Sequence, residues 1–318
     1  MTTLTQHVRP FAVDSPPWPE LSITALSGDA WSFVRAAGHA GTSLPTTVHD
    51  ALVDFADFPH ESGALVLHGL PVGTLAGTPA TPTTPADKDT VSEFTLLSVA
   101  RRLGQPVGYG PEHGGDLIQN IVPTNATHDR QVSTSSKVQL MFHTEAAFHP
   151  HRPRYLLLLC LRGDPAAFTT LASIFEVMPQ LPSDVIHVLF QPRFRTAVDE
   201  SYLQGRNNVL GDPIAVLSGD RARPSMVFDA DLMVGIDAGA DDALRVLGDA
   251  IETCHTSVAL SAGDLLVVDN TVAVHGRSPF TPRFDGTDRW LQRAFVVSDL
   301  APSAADRRGR VIMTHFGS

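Results

Sequence analysis

The most informative stretch of this chain is Leu140-Met141-Phe142-His143-Thr144-Glu145-Ala146-Ala147-Phe148-His149, which places two metal-ligand side chains in an apolar, strand-like run. Successive side chains of a strand point to opposite faces, so His143 and Glu145, two residues apart, are expected on the same side. An imidazole nitrogen and a carboxylate oxygen on one face supply two of the three ligands of a 2-His-1-carboxylate iron site. The third ligand must come from elsewhere in the chain.

A His-x-acid triplet is weak by itself. With 14 His and 34 acidic residues among 318, about 1.5 such triplets are expected by chance. The alternative is a strand whose polar face is solvated, with His143 and Glu145 only hydrogen-bonded. Residues 263–277 favour the metal site, because an apolar strand and a polar turn there lead to His275, which is followed by Gly276. The sequence therefore predicts His275 as the third ligand.

Arg289 opens a second apolar run, residues 289–297, with the pattern of a buried strand. A guanidinium removed from water is costly unless it meets an anion, and a carboxylate is its natural bidentate partner. The strand alone leaves two interpretations open: an internal Arg–Asp pair, or the carboxylate of a bound ligand.

Four separated motifs resemble one known family. They are His143-Thr144-Glu145, Thr169-Thr170-Leu171, His275-Gly276-Arg277 and Asp285-Gly286-Thr287-Asp288-Arg289-Trp290-Leu291-Gln292-Arg293. Their order and spacing resemble the clavaminate synthase-like branch of the iron(II) and 2-oxoglutarate-dependent oxygenases, and within it the hydroxylases of free arginine, lysine and asparagine. The resemblance runs from about residue 63 to about residue 298.

The resemblance implies a β-rich α+β fold, with a double-stranded β-helix (jelly roll) core and flanking helices. With 318 residues and 43% apolar content the chain can bury one large core, so we expect one oxygenase domain over residues 1–318, although two domains are possible. We expect a helical lead-in over residues 1–60, with helices near 27–37 and 45–58, then the core with a helical insert over 63–298 and a C-terminal tail over 299–318. Residues 72–88, rich in Pro, Thr, Ala and Gly, are predicted to form a surface loop.

The resemblance also assigns roles to residues. It implies that His143, Glu145 and His275 bind Fe(II), that Arg289 and Thr170 bind the distal carboxylate of 2-oxoglutarate, and that O2 takes the remaining metal position. The chain is thus expected to be a dioxygenase, with the three metal ligands as its catalytic residues.

The residues most informative about substrate are Asp229 and Asp231, whose carboxylates at i and i+2 are expected to converge on a guanidinium or ammonium group. The arginine hydroxylases of this branch resemble the chain here. The alternatives are a solvated turn, or an internal partner such as Arg221 or Arg223.

Four further residues are predicted substrate contacts. Asp199 and Ser201 are placed on the same wall as the acidic pair by the same resemblance. Arg293, four residues after Arg289 and so on the same strand face, is predicted to bind the amino acid's carboxylate. Gln119 faces inward in the alternating run 115–122; it is either a satisfied core amide or a contact to the α-amino group.

The predicted reaction is hydroxylation of an unactivated C–H, at C3 or else C4, of free arginine or lysine, with release of succinate and CO2. Three alternatives stay open: another or a carrier-tethered amino acid as substrate, a cupin-like metalloenzyme that does not use 2-oxoglutarate, and a metal-free binding module. In the cupin-like case Arg289 has no role, so its replacement by Ala changes little.

Composition narrows the partners and the compartment. A net charge of −11 with only two Lys argues against nucleic acid and anionic membranes, which select basic patches, but suits a small cationic amino acid. Cys160 and Cys254 are predicted to be free thiols, which favours a reducing compartment. No run approaches 18 apolar residues, and the N-terminus has no signal-peptide pattern, so a cytoplasmic location is expected.

Overall fold

Helices and strands alternate along the part of the chain that the structure, a computed structural model, describes: residues 11–14, 30–58 and 60–317. In chain order the elements are β1 (Phe11–Asp14), α1 (Ala30–Gly41), α2 (Thr46–Asp57), β2 (Ala64–His68), α3 (Val91–Leu103), β3 (Gln105–Tyr109), β4 (Gln119–Ile121), β5 (Leu140–His143), β6 (Tyr155–Arg162), β7 (Thr169–Ser173), α4 (Ile174–Val177), α5 (Ser183–Leu189), β8 (Phe194–Thr196), α6 (Glu200–Leu203), β9 (Leu217–Gly219), β10 (Pro224–Met226), β11 (Met233–Gly235), α7 (Ala238–Cys254), β12 (Thr256–Val258), β13 (Leu265–Asp269), β14 (Ala273–Arg277), β15 (Trp290–Val297), β16 (Arg307–Arg308) and β17 (Val311–Ile312).

The larger sheet has the strand order β1-β2-β13-β6-β15-β3-β17-β16, and β4 also pairs with β15. Its pairs are antiparallel except β1 with β2 and β17 with β3. Strand β6 is central: Leu157 lies between Val267 of β13 and Ala294 of β15. A central strand is covered on both faces, which accounts for the unbroken apolar run of β6.

The two faces of this sheet meet different layers. Leu157 packs in a buried cluster with Phe55 of α2 and Leu97 of α3, so helices cover one face. Leu156 and Leu158, which point the other way, belong to a second cluster inside the molecule. Burial of one such side chain contributes about 1.5–3 kcal/mol, so period-2 alternation in β6 stabilises both layers at once.

The smaller sheet has the order β12-β7-β14-β5 and is antiparallel throughout. Leu171 of β7 shares the inner cluster with Leu158 of β6, so the two sheets face each other. Ala172, next in sequence, packs outward in a third cluster with Leu247 of α7. The result is two facing sheets with helices on both outer sides, and the cavity described below opens between them.

The structure confirms the two N-terminal helices as α1 and α2; Ser27, at the predicted start of the first, lies outside the described residues. The alternating run 115–122 is a strand only at Gln119–Ile121, because Gly114 and Gly115, with φ of 67° and 87°, form a turn before it. The tail is more ordered than its polar composition suggests, since Val311–Ile312 pairs in parallel with β3.

Cys160 and Cys254 are free thiols, as predicted. Among the described residues no helix has both the length and the apolar character needed to cross a bilayer.

Candidate active site

The three predicted metal ligands come together. His143 ends β5, Glu145 follows it, and His275 lies opposite His143 in β14. Their donor atoms all lie within 4.8 Å of one another, the one group of this kind among the described residues. The two imidazole centroids are 4.3 Å apart, and Glu145 Oε2 lies 3.5 Å from His275 Nε2.

Glu145 reaches this point for a reason other than the one predicted. Strand β5 stops at His143, so strand alternation does not place Glu145. Instead Asn270, directly after β13, holds the Glu145 backbone on both sides: its Oδ1 accepts from Glu145 N at 2.7 Å, and its Nδ2 donates to Glu145 O at 3.1 Å. The chain then turns at Ala146, whose φ is 51°. Nothing in the local sequence marks Asn270 for this role.

The protonation states suit a divalent metal. His143 Nδ1 lies 2.9 Å from Met141 O and donates to it, so the neutral tautomer that fits this contact carries its lone pair on Nε2. Burial, and then the charge of His143, lowers the pKa of His275 to about 4, so it is neutral at pH 7. Burial opposes ionisation of Glu145, but Arg293 and then the two histidines overcome this and lower its pKa to about 2.

The metal-ligand atoms of these three residues lack a positively charged partner among the residues that the structure describes. Glu145 Oε2 is fully buried and has no hydrogen-bond partner. Lone pairs of one carboxylate and two neutral imidazoles repel each other when they face one point, whereas a divalent metal with bonds of about 2.1 Å satisfies all three. The donor set is the facial triad that binds non-haem iron(II).

Arg289 immediately precedes β15 and is buried at the same cavity, with Nη2 3.3 Å from Thr169 Oγ1. Burial lowers its pKa to about 10, so the guanidinium stays charged at pH 7. No described carboxylate lies within 4.0 Å of it, so the internal Arg–Asp pair is not what the structure shows. A buried cation without a counter-ion calls for an anionic ligand.

The hydroxyl that meets Arg289 belongs to Thr169 and not to Thr170. Side chains of β7 alternate: Leu171, on the same face as Thr169, packs in the inner cluster, while Ala172, on the same face as Thr170, packs toward α7. Thr169 lines the cavity, whereas the buried hydroxyl of Thr170 has no hydrogen-bond partner. In the structure Arg289 therefore pairs with Thr169 and not with the predicted Thr170.

Arg293 lies four residues beyond Arg289 and faces the same cavity, as predicted. Its Nε donates to Gln119 Oε1 at 2.9 Å, its Nη2 pairs with Glu112, and its Nη1 lies 3.4 Å from Glu145 Oε1. Gln119 is buried and faces inward, but its observed contact is with Arg293. A network of buried charges thus reaches the metal ligand Glu145.

Glu112 is a site residue that the sequence did not reveal. It is 7% exposed, and its second oxygen accepts a hydrogen bond from the Tyr202 hydroxyl at 2.8 Å. Burial raises the pKa of its carboxyl, although Arg293 opposes the shift. It follows the sequence Gly110-Pro111 in a loop, where no periodic pattern distinguishes it from a solvated acid.

The predicted acidic pair lies on the same cavity, in a turn and not in a strand. Asp229 is 8% exposed and its backbone forms an isolated bridge with His143. Its Oδ1 accepts from the backbone N of Asp231 at 3.0 Å and of Leu232 at 2.8 Å. Burial raises the pKa of Asp229, and Asp231, which is exposed, adds to the shift.

Neither proposed internal partner pairs with these acids. Arg221 stacks on Phe190, with its Cζ 4.7 Å from the ring centroid, and Arg223 pairs with Glu61 at 2.9 Å. The acidic pair therefore faces the cavity without a cation from this segment.

Asp199 and Ser201 line the same cavity as the acidic pair, at the start of α6. Asp199 Oδ1 accepts from the backbone N of Ser201 at 2.8 Å and from its Oγ at 2.6 Å. One oxygen of Asp199 thus caps the helix, which is the common use of Asp at this position.

The cavity has a volume of about 730 Å³ and contains all but two of the predicted site residues. Its lining includes the three metal ligands, both arginines, the acidic residues and, from the loop 72–88, Thr81 and Pro82. That loop is held by Thr78, whose backbone N donates to Gly286 O at 2.8 Å, and by Asn120, whose Nδ2 donates to Thr84 Oγ1 at 2.8 Å. It is a surface excursion, as predicted, and also forms part of the cavity rim.

Comparison with known proteins agrees with this geometry. The taurine catabolism dioxygenase TauD, TfdA family matches residues 38–295, and the chain belongs to this family. It is 39% identical to the L-asparagine oxygenase of Streptomyces coelicolor over 285 residues, which cover 88% of this chain and 84% of that protein. It is also 39% identical to the L-lysine 3-hydroxylase of Catenulispora acidiphila over 298 residues, 90% of this chain and 82% of that protein.

Solved structures give the same result. A structure of asparagine oxygenase in complex with Fe(II), 2S,3S-3-hydroxyasparagine and succinate superimposes with a TM-score of 0.89 at 36% identity, covering 96% of this chain and 99% of that one. The non-heme iron oxygenase OrfP in complex with Fe, succinate and (3S)-hydroxy-L-Arg gives 0.85 at 30% identity, covering 95% and 99%. The prediction of a non-haem iron, 2-oxoglutarate-dependent dioxygenase is confirmed, and the cupin-like and metal-free alternatives are not supported.

Proposed function

We propose that this chain hydroxylates an unactivated C–H bond of a free basic L-amino acid, arginine or lysine, at C3 or else at C4, and releases succinate and CO2. The observation that carries the substrate assignment is Asp229, a buried carboxylate beside the metal ligand His143 that no Lys or Arg nitrogen of the described residues approaches within 4.0 Å. A cationic side-chain end supplies the missing partner.

Metal and keto acid binding follow from two clusters. His143, Glu145 and His275 would hold iron(II), and Arg289 with Thr169 would hold the distal carboxylate of 2-oxoglutarate. When bound, iron with 2-oxoglutarate and O2 supplies the oxidising chemistry for C–H hydroxylation; the cosubstrate becomes succinate and CO2, and the substrate gains one oxygen atom. The protein's own part is to orient the two substrates and to exclude water.

The backbone end of the amino acid fits the charges around Arg293. Its carboxylate would meet the guanidinium of Arg293, and its ammonium group would meet the carboxylates of Glu112 and Glu145. The raised pKa of Glu112 reflects the cost of a buried negative charge, which an ammonium partner reduces. Gln119 supports this arginine, because its Oε1 accepts from Arg293 Nε at 2.9 Å.

The side-chain end of the amino acid fits the acidic residues that line the cavity. Asp229 adjoins His143 while Arg293 adjoins Glu145, so an amino acid that reaches from one to the other passes across the metal ligands. Its first side-chain carbons would then lie nearest the metal, which favours C3 and then C4. Asp231, Asp199 and Ser201 would extend the contact to the cation.

The predicted fold and domain organisation are also part of this proposal. We infer that the two facing sheets form a double-stranded β-helix, because ligands from β5 and β14 in one sheet meet Arg293 from β15 in the other at the same end of the inner cluster. We also infer one oxygenase domain, because residues from 64 to 312 share that inner cluster.

The test is a panel of free amino acids incubated with iron(II), ascorbate and 2-oxoglutarate, with products separated and weighed by mass spectrometry. We expect a gain of one oxygen on arginine or lysine and one succinate per product. Activity confined to neutral amino acids would overturn the cationic assignment.

Asparagine is a second candidate, favoured by one observation: identity to the L-asparagine oxygenase equals identity to the L-lysine 3-hydroxylase. A carboxylate such as Asp229 also accepts hydrogen bonds from a neutral amide. The same panel distinguishes the two candidates. Product from asparagine alone would indicate a neutral substrate, and product from arginine or lysine would indicate a cationic one.

A further inference from the structure

The single-turn helix α6 forms part of the cavity lining. Ser201, its capping residue Asp199 and Tyr202 all line the cavity, and Tyr202 is only 4% exposed. The Tyr202 hydroxyl donates to Glu112 at 2.8 Å, and Glu112 pairs with Arg293. Helix α6 therefore connects Asp199 of the cavity lining to the buried charges of Glu112 and Arg293 beside the metal ligands.

So short a helix has little stability of its own, because a first turn fixes several residues for very few hydrogen bonds. It contains four residues, and the C-cap residue Gln204 that follows it is left-handed, with φ of 51° and ψ of 39°. The position of α6 must therefore depend on what packs against it.

The C-terminal segment packs against α6 through Phe316. The ring of Phe316 lies 6.3 Å from that of Tyr202, 5.0 Å from Phe148 and 5.1 Å from His149, centroid to centroid and all in edge-on geometry. Arg206, just beyond α6, donates to the carbonyl of Phe316 at 3.3 Å. Edge-to-face contacts of this kind stabilise beyond the apolar area that they bury.

We propose that Phe316 is a positioning residue for substrate binding: it holds α6, and with it Asp199, Ser201 and Tyr202, against the cavity without touching the substrate. The identity of that substrate rests on the proposed function, whereas the support of α6 by Phe316 does not. The keto acid end is independent of this contact, because Arg289 and Thr169 lie on strands β15 and β7 or directly beside them.

Hydrogen exchange of the full-length chain tests the structural part without any ligand. In Phe316→Ala the backbone amides of residues 199–204 should exchange at least about tenfold faster than in the parent, while those of β6 keep their rates. The matched control is His315→Ala, because His315 is exposed and makes no ring contact with a described residue. Unchanged exchange at residues 199–204 in Phe316→Ala would refute the proposal, whatever the substrate is.

Kinetics test the functional part. With L-arginine or whichever amino acid the panel identifies, Phe316→Ala should raise the KM for the amino acid roughly tenfold, change kcat by less than about twofold and leave the KM for 2-oxoglutarate and the affinity for Mn(II) unchanged. Phe316→Tyr, which keeps the ring, should restore the parent values. A parallel rise of both KM values would indicate general damage and contradict a positioning role.

Two further variants keep the proposal testable if the alanine variant aggregates. Phe316→Leu retains an apolar side chain and should show the same split in KM, reduced in size. Tyr202→Phe keeps the ring under Phe316 but removes the hydrogen bond to Glu112, and Tyr109→Phe is its control, because the Tyr109 hydroxyl in the same aromatic cluster donates to His151 O and not to Glu112. Equal KM values in these two tyrosine variants would contradict the link through Glu112.

Discussion

Replacement of Asp229 by Asn isolates the charge that is proposed to select the substrate. Asp229 Oδ1 accepts two backbone hydrogen bonds, from Asp231 N and Leu232 N, and the amide oxygen of Asn accepts the same two. The turn should therefore persist. What is lost is the negative charge facing the cavity, because the remaining atom becomes an uncharged donor.

The size of the effect follows from the value of one charged hydrogen bond, about 1.5–3 kcal/mol. At 1.4 kcal/mol per factor of ten, kcat/KM for L-arginine should fall roughly 10- to 150-fold. L-citrulline has nearly the shape of arginine without its charge, so its kcat/KM should be low in the parent and change by less than about threefold in Asp229→Asn.

The assay follows hydroxylated amino acid and succinate together by mass spectrometry, over a range of each amino acid at saturating 2-oxoglutarate. The decisive quantity is the ratio of kcat/KM for arginine to that for citrulline in the parent and in Asp229→Asn. The melting temperature of both proteins is the control for folding. An unchanged ratio would show that Asp229 does not recognise charge and would remove the main argument for a cationic substrate.

Three further predictions concern other parts of the molecule. Arg289→Met should raise the KM for 2-oxoglutarate by about 10- to 150-fold with little change for the amino acid, and Thr169→Val by about fivefold, whereas Thr170→Val should leave it nearly unchanged; initial rates over a range of 2-oxoglutarate distinguish Thr169 from Thr170, and equal effects would contradict the pairing seen here. Asn270→Ala leaves the backbone N–H and C=O of the metal ligand Glu145 without partners at a cost of about 1–3 kcal/mol each, so both the melting temperature and the Mn(II) affinity should fall; an unaltered Mn(II) titration would show that Asn270 does not position this ligand. Burial, and then Glu61, raises the pKa of Glu176 to about 7 from 4.5, so the folded state binds this proton more tightly than the unfolded chain and loses stability as pH rises through that interval; Glu176→Gln should therefore melt higher than the parent above pH 7 and equally below about pH 4, and a constant difference across pH would contradict this.

Local pattern was enough to find much of this protein. The second N-terminal helix and the surface loop 72–88 follow from local spacing and composition, because neighbouring residues decide both. Arg289 and Arg293 could be placed on one face because four residues along a strand make two full repeats of its period. The metal ligands were predicted from residue type and spacing together with the resemblance to a known family, since few side chains bind iron.

Other features depended on contacts between remote segments. Glu112 carries no local signal, and its role exists only because Arg293, 181 residues away in sequence, pairs with it. Asn270 acts on Glu145 from 125 residues away. No periodicity records such contacts, because they arise when the two sheets pack together.

The sequence by itself determined which residue types are available for chemistry and the period with which they alternate. It determined that Thr169 and Thr170 point in opposite directions, but not which of the two faces Arg289. Only the tertiary structure decided that, because the phase of a strand is set by its pairing with β14 and by what each face packs against. The same holds for Glu145, whose position is set by a side chain from the opposite sheet and not by the strand that precedes it.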